Sequence, residues 1–170
     1  LSLSGENSQF IRFNNASVRQ TGLVDDAELE LKFISNNRIS SGGFTISGKK
    51  DLDFKRGRNE IARLREEVKE LPEDPFLVLP KNLGSSIEKK SSNGLMFEDS
   101  VDAILPVMSE VDFVGIFSNG KMFRGNANSK GQNHWFETDT YNLDYSLVTQ
   151  NHQMVKGSFS GNDWNQNDYE

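Results

Sequence analysis

Residues 27–34, AELELKFI, set Ala27, Leu29, Leu31 and Phe33 on one side and Glu28, Glu30 and Lys32 on the other. That two-residue period belongs to a strand with one buried face. Before it, FIRFNNASVRQ (10–20) interleaves aromatic and β-branched residues with polar ones and predicts a strand, with a turn at Gly22 and Asp25-Asp26 between the two. After it, Asn36-Asn37 predicts a second turn, and RISSGGFTIS a third strand with Phe44 and Ile46 on one side. Residues 10–47 therefore read as a three-stranded meander.

The period then changes. Ile61, Leu64, Val68 and Leu71 recur at helical spacing, with Arg58, Arg63, Arg65, Glu66, Glu67 and Lys69 on the other faces. This amphipathic helix is expected to begin between Asp51 and Asn59, with Gly57 weakening its first turn, and to end at Pro72 and Pro75. Residues 80–98 are polar and aperiodic and predict a flexible loop. A second helix follows on Val101, Ile104, Leu105 and Met108, capped by Asp99 or Ser100 and shortened by Pro106, which lacks a backbone donor.

From Val111 the chain returns to strands. VDFVGIF and KMFRGNA flank Ser118-Asn119-Gly120, and Asn-Gly between apolar runs predicts a hairpin. A turn at 128–131 (NSKG), a strand at HWFETDT and another at YNLDYSL follow, the last alternating Tyr141, Leu143, Tyr145 and Leu147 with polar residues. The tail, 161–170, is polar and expected to fray. The fold class is α+β: one domain over residues 1–170, with an N-terminal three-stranded meander, two central helices and C-terminal antiparallel strands, in a mixed or mainly antiparallel sheet.

Composition narrows the function. The 170 residues include 35% hydrophobic residues and twelve Phe, enough for a core, and the mean hydropathy of −0.61 predicts a soluble chain. A net charge of −6 argues against direct nucleic-acid binding, which needs clustered cations. Zero cysteines exclude disulfide and thiolate chemistry and fit the cytosol. No apolar run is long enough to span a membrane, and LSLSGENSQF lacks the pattern of an export signal. The chain opens on Leu1 rather than Met, so it is expected to be a piece of something longer.

Each stretch that resembles a chemical motif fails on one requirement. Residues 43–50, GFTISGKK, have the glycine spacing of a phosphate loop but place Lys50 where Ser or Thr must hold magnesium, so a strand and turn are expected. Residues 157–161, GSFSG, carry Phe159 where a nucleophile elbow needs its serine. His134 and His152 have no second ligand at helical or hairpin spacing and are expected to be polar strand residues. Glu66-Glu67 lie on a solvated helix face and Asp25-Asp26 in a turn, where a general acid or base would want a desolvated pocket. The Asn15-Ala16-Ser17 sequon would matter only in a secreted protein. RGNANSKG (124–131) has the composition of an anion cradle, but a strand follows it rather than a helix, so it is expected to be a hairpin turn. The candidate catalytic, cofactor-binding and metal-ligating residues in this chain are therefore none.

Taken in order, FIRFNNASVRQTG, the strand ending in ISNNRISSG, the helix closing in LPEDP and GIFSNGKMFRGNANSKG ahead of an aromatic strand resemble the N-terminal domain of the TldD/PmbA family. These are the so-called modulators of DNA gyrase, which are peptide-processing metallopeptidases. The resemblance covers residues 8–160 and rests on two short patterns, the strand Arg12–Gln20 and the turn Asn126–Gly131. It implies that zinc is held in a C-terminal half, by a HExxxH helix and a cysteine, neither of which this chain carries. It also implies a cytoplasmic dimer with a homologous or paralogous subunit, which admits unfolded peptide to a closed cavity. This domain would help enclose that cavity and make protein contacts, and could hold extended peptide by strand addition. The alternative is a self-standing β-rich binding or interaction module, with Trp135, Phe136, Tyr141 and Tyr145 partly facing a ligand. Alternation with Asn142, Asp144 and Ser146 favours sheet core for those aromatics.

Overall fold

Asn15 and Ala16 both adopt positive φ, 51° and 47°, the backbone of a two-residue turn that keeps the twist of its flanking strands. They join β1 (Ser2–Asn14) to β2 (Ser17–Ser35). Asn36 and Asn37, at φ 49° and 56°, repeat the device and lead to β3 (Arg38–Thr45). The computed structural model describes every residue except Pro80, Leu83, Ser109, Glu110, Gln150 and His152. The meander and the turn at Asn36-Asn37 follow the hydrophobic pattern. The first turn does not: Gly22, Asp25 and Asp26 lie inside β2. A Cβ on Gly22 would stand 2.5 Å from the Phe10 ring, so this glycine makes room for an aromatic neighbour on the next strand.

α1 (Lys50–Glu67) continues as a 3₁₀ turn at Val68–Glu70. β4 (Ser85–Lys90), α2 (Phe97–Ile104) and a 3₁₀ turn at Pro106–Met108 follow. β5 (Asp112–Ala127), β6 (Asn133–Val148), β7 (Met154–Gly161) and α3 (Gln166–Tyr169) complete the chain. The strands form a seven-stranded sheet in the order β3-β2-β1-β5-β6-β4, with β7 also paired to β6. The class is α+β, and the sheet is mostly antiparallel: β2 with β3 and β6 with β7 are antiparallel pairs. Among the described residues no helix is long and apolar enough to cross a membrane.

Further expectations are corrected. Residues 80–98 were expected as loop, but they hold β4 and the start of α2; every residue of β4 is exposed, so its strand character left no apolar alternation to read. No hairpin forms at Asn119-Gly120, because β5 runs straight through it. The tail does not fray: the Trp164 amide donates to the Asn93 carbonyl at 3.0 Å, and the Tyr169 hydroxyl to that of Ile104 at 3.1 Å.

The chain forms two compact units. The first is built from Leu1–Gly5, Asp26–Glu88 and Phe123–Phe136. There α1 lies along β3, burying Leu64 and Val68, and the Ser40 hydroxyl donates to Glu67 at 2.6 Å. Gly42 leaves the space that Glu60 and Arg63 occupy, and Gly57 faces Phe44, so this glycine sits within the helix without breaking it. No side chain caps the helix start at Lys49, and the expected stripe Ile61, Leu64, Val68 and Leu71 faces inward.

The second unit, from Glu6–Asp25, Lys89–Met122 and Glu137–Glu170, holds the larger core. Ile11, Phe13, Ile104, Met108, Phe113, Phe117, Tyr141 and Leu143 are buried together. α2 ends at Ile104, ahead of Pro106, and its Ser100 hydroxyl bonds back to the Met96 carbonyl at 2.7 Å rather than capping the helix.

Candidate functional site

The 124–131 stretch joins β5 to β6 and spends its polar groups on itself. The Asn128 amide donates to the Gln132 carbonyl at 3.0 Å and the Gly131 amide to the Asn128 carbonyl at 3.2 Å. The Asn128 side-chain oxygen accepts from the amides of Lys130, at 2.9 Å, and Gln132, at 3.3 Å. Gly131 holds φ +97°, where a side chain is strained. An anion would need those same amides, so the stretch is a turn.

Residues 43–50 do bring a glycine with positive φ, Gly48, to the start of a helix. The place an anion would take is filled from within. Asp53 Oδ1 accepts from the Ser47 amide at 3.0 Å and the Ser47 hydroxyl at 2.8 Å. The Ser47 amide bond, ahead of the cost of burial, holds that carboxyl below the usual range.

Residues 157–161 lie within β7, and their glycines serve packing. Gly157 pairs with Tyr145 and Gly161 with Tyr141, and a Cβ on either would meet the tyrosine hydroxyl, at 2.6 and 2.9 Å. Phe159 lies between them in an aromatic cluster with Tyr141, Trp164 and Tyr169. Tyr141 is therefore core, and Tyr145 packs on it. Trp135 stacks on Phe123 with ring centroids 5.5 Å apart, leaving Phe136 as the exposed member of the four.

The titratable groups stay dispersed. His134 Nδ1 is hydrogen-bonded to the Ser86 hydroxyl at 2.7 Å, while His152 lies outside the described residues. Glu66 is paired with Lys69, and Glu67 with Arg63 and Ser40. Asp25-Asp26 are strand residues, not turn residues, and are exposed. Among the described residues, no three His, Cys, Asp or Glu side chains converge on a metal position.

Two surface features were not anticipated from the sequence. One is an open groove of about 320 Å³ on the first unit, lined by Ser2, Ser4, Glu28, Glu30, Ser41 and Gly43. Ser2 donates to Glu30 at 3.0 Å and Lys32 pairs with Glu30 at 3.4 Å, so the charge of Glu30 is answered locally. The other is a sheet edge. β3 pairs with β2 only from Glu28 to Ser35, and the Ile46 amide bonds the Ala27 carbonyl just beyond. Among the described residues no strand covers the same side of Ser17–Asp25. Separate strands at residues 10–20 and 27–34 were expected on either side of Gly22, which hid the length of this edge.

Neither a protein-family profile nor a curated protein matches the sequence. Solved structures do share its fold. TldE from Thermococcus kodakarensis superposes with a TM-score of 0.70 at 13% identity, over 95% of this chain and 39% of its own. A candidate modulator of DNA gyrase from Bacteroides thetaiotaomicron gives 0.66 at 15% identity, over 95% and 40%. Another, from Thermotoga maritima, gives 0.62 at 11% identity, over 99% and 41%. The chain thus has the fold of part of these proteins and spans about two fifths of their length. Proteins of the same name are those that the patterns at Arg12–Gln20 and Asn126–Gly131 resemble.

Proposed function

We propose that this chain is an accessory, non-catalytic part of a TldD/PmbA-like zinc metallopeptidase that matures or degrades peptides. It encloses the substrate cavity and makes contacts with a homologous or paralogous subunit in a dimer. The observation that carries this reading is the shared fold with TldE and two candidate gyrase modulators, each about two and a half times as long as the region matched. The local chemistry is compatible with it: the motif-like stretches are consumed by their own hydrogen bonds and packing, which leaves binding rather than catalysis to these residues. Unfolded peptide is held in extended form against an open sheet edge, where main-chain bonds supply affinity without demanding a sequence. Zinc belongs to residues other than these.

The test is hydrolysis of an unfolded substrate such as casein by the native protein, with and without a chelator, followed by mass spectrometry of every polypeptide present. Chelator-sensitive hydrolysis that tracks a HExxxH-bearing region outside residues 1–170 supports the reading. Hydrolysis by residues 1–170 alone, or a native protein with no such region in its own chain or its partner, rejects it.

A further inference from the structure

The chain holds two Asn-Gly pairs, Asn93-Gly94 and Asn119-Gly120, and the fold treats them oppositely. Asn119 lies within β5, its side-chain amide donates to the Leu95 carbonyl, and Gly120 stands against the backbone of Asn7 and Ser8. Both residues are held in place. Asn93 and Gly94 lie between β4 and α2, outside any helix or strand, and both are exposed. Among the described residues, neither the Asn93 side-chain amide nor the Gly94 main-chain amide has a hydrogen-bond partner. The space around Gly94 is open: a Cβ there would meet nothing nearer than the Ser92 hydroxyl, at 3.8 Å. The main chain of Asn93 is nevertheless engaged. Its amide donates to Asp163 Oδ1 at 2.8 Å and its carbonyl accepts from the Trp164 amide at 3.0 Å, so this residue clasps the C-terminal segment onto the second unit.

We propose that Asn93 is a site of spontaneous deamidation whose product opens this clasp. The Gly94 nitrogen gives up its proton to solvent base and bonds to Cγ of Asn93, and the bond from Cγ to Nδ2 breaks as ammonia leaves with a proton from solvent. The succinimide so formed is a tight ring that Gly94, lacking a Cβ, admits with little steric cost. Water then opens the ring at one of its two carbonyls and leaves aspartate or isoaspartate; nothing is oxidised or reduced. Asn119 is barred from the same step, because its side-chain amide and the glycine after it are both held by neighbours. Either product sets a new carboxylate near that of Asp163, and like charges repel. In isoaspartate the main chain also runs through the former side chain and is one methylene longer, which draws the amide from Asp163 and the carbonyl from Trp164. This inference is independent of the peptidase reading, since it rests on two asparagines and what surrounds them.

The native protein is held at mildly alkaline pH, sampled over days and mapped by peptide mass spectrometry, with isoaspartate read by enzymatic methylation. The peptide containing Asn93 gains the mass of an amide-to-acid conversion about tenfold faster, or more, than the one containing Asn119. In concentrated urea the two convert at comparable rates, since both pairs are then free. Gly94→Ala slows conversion at Asn93 by about tenfold or more, and far-ultraviolet circular dichroism checks that the variant is folded. Limited proteolysis cuts the converted protein after Gly161 sooner than the unconverted protein. Asn93→Gln, whose longer side chain closes the ring far more slowly, keeps its resistance through the same incubation. No conversion at Asn93, equal rates at the two sites in the folded protein, or a converted protein whose C-terminal segment stays as resistant as before each overturns the proposal.

Discussion

Gly120 lies against the backbone of Asn7 on the neighbouring strand: a Cβ at position 120 would stand 2.5 Å from the Asn7 carbonyl oxygen. Its φ of +144° is equally closed to other residues. Steric collision with backbone cannot be relieved by a rotamer change, so Gly120→Ala is expected to cost about 3 kcal/mol, the strained backbone and the clash adding. Urea unfolding measures it. A loss under about 1 kcal/mol would show that β5 can move away from β1 at little cost.

At the β5–β6 turn, Gly131→Val places a branched side chain at φ +97° and should destabilise by about 1–3 kcal/mol. Lys130→Ala, at an exposed position beside it, should change stability by about 0.5 kcal/mol or less. Thermal unfolding of the pair separates backbone geometry from side-chain chemistry. If Lys130→Ala abolished function while leaving stability intact, the turn would have to be read as a binding element.

Trp164 ties the C-terminal residues to the second unit. Its ring meets Phe117, Tyr141 and Phe159 with centroids 5.7, 5.1 and 5.5 Å away. Trp164→Ala is expected to cost about 3 kcal/mol and to make the segment after Gly161 accessible to protease. Limited proteolysis with mass mapping checks this, and an unchanged cleavage pattern would contradict it.

Tyr169 donates its hydroxyl to the Ile104 carbonyl at 3.1 Å, and burial, with Tyr145 adding, pushes its pKa up to about 12 from 10.0. The sign follows from where the proton stays. Below pH 10 both folded and unfolded chains keep it, and the contribution is complete. Between about 10 and 12 the unfolded chain releases it first, so stability falls as pH rises. Tyr169→Phe should cost about 1 kcal/mol at pH 8 through the lost hydrogen bond. It should also flatten the decline above pH 10, read as unfolding midpoints across a pH series.

Where one face of an element is buried and the other is wet, periodicity alone located it: the Ala27–Phe33 alternation, the stripe from Ile61 to Leu71 and the Tyr141–Leu147 alternation all lie in elements of the matching type. The turns at Asn36-Asn37 and at 128–131 were legible for the same reason, because Asn and Gly tolerate backbone angles that few other residues adopt. The stretches at 43–50 and 157–161 each lack one residue that the motif they resemble requires, and the stretch at 124–131 lacks the helix that should follow an anion cradle. That Asp53, Asn128 and two tyrosines occupy those places required coordinates.

Strand length was not legible. Strands of 13 to 19 residues far exceed the usual five or six, so Gly22 and Asn119-Gly120 looked like turns. Whether a glycine bends the chain or admits a neighbour depends on what lies across from it: the Phe10 ring beside Gly22, the Asn7 backbone beside Gly120. β4, exposed throughout, had no buried face to imprint a pattern, and Trp164 and Tyr169 were isolated aromatics until packing joined them to Phe159. The sequence by itself determined which residues avoid water and which backbones can turn, because those are properties of single residues and their near neighbours. Only the tertiary structure decided which strands meet, what each glycine faces and which edge is left open, because those depend on residues far apart in the chain.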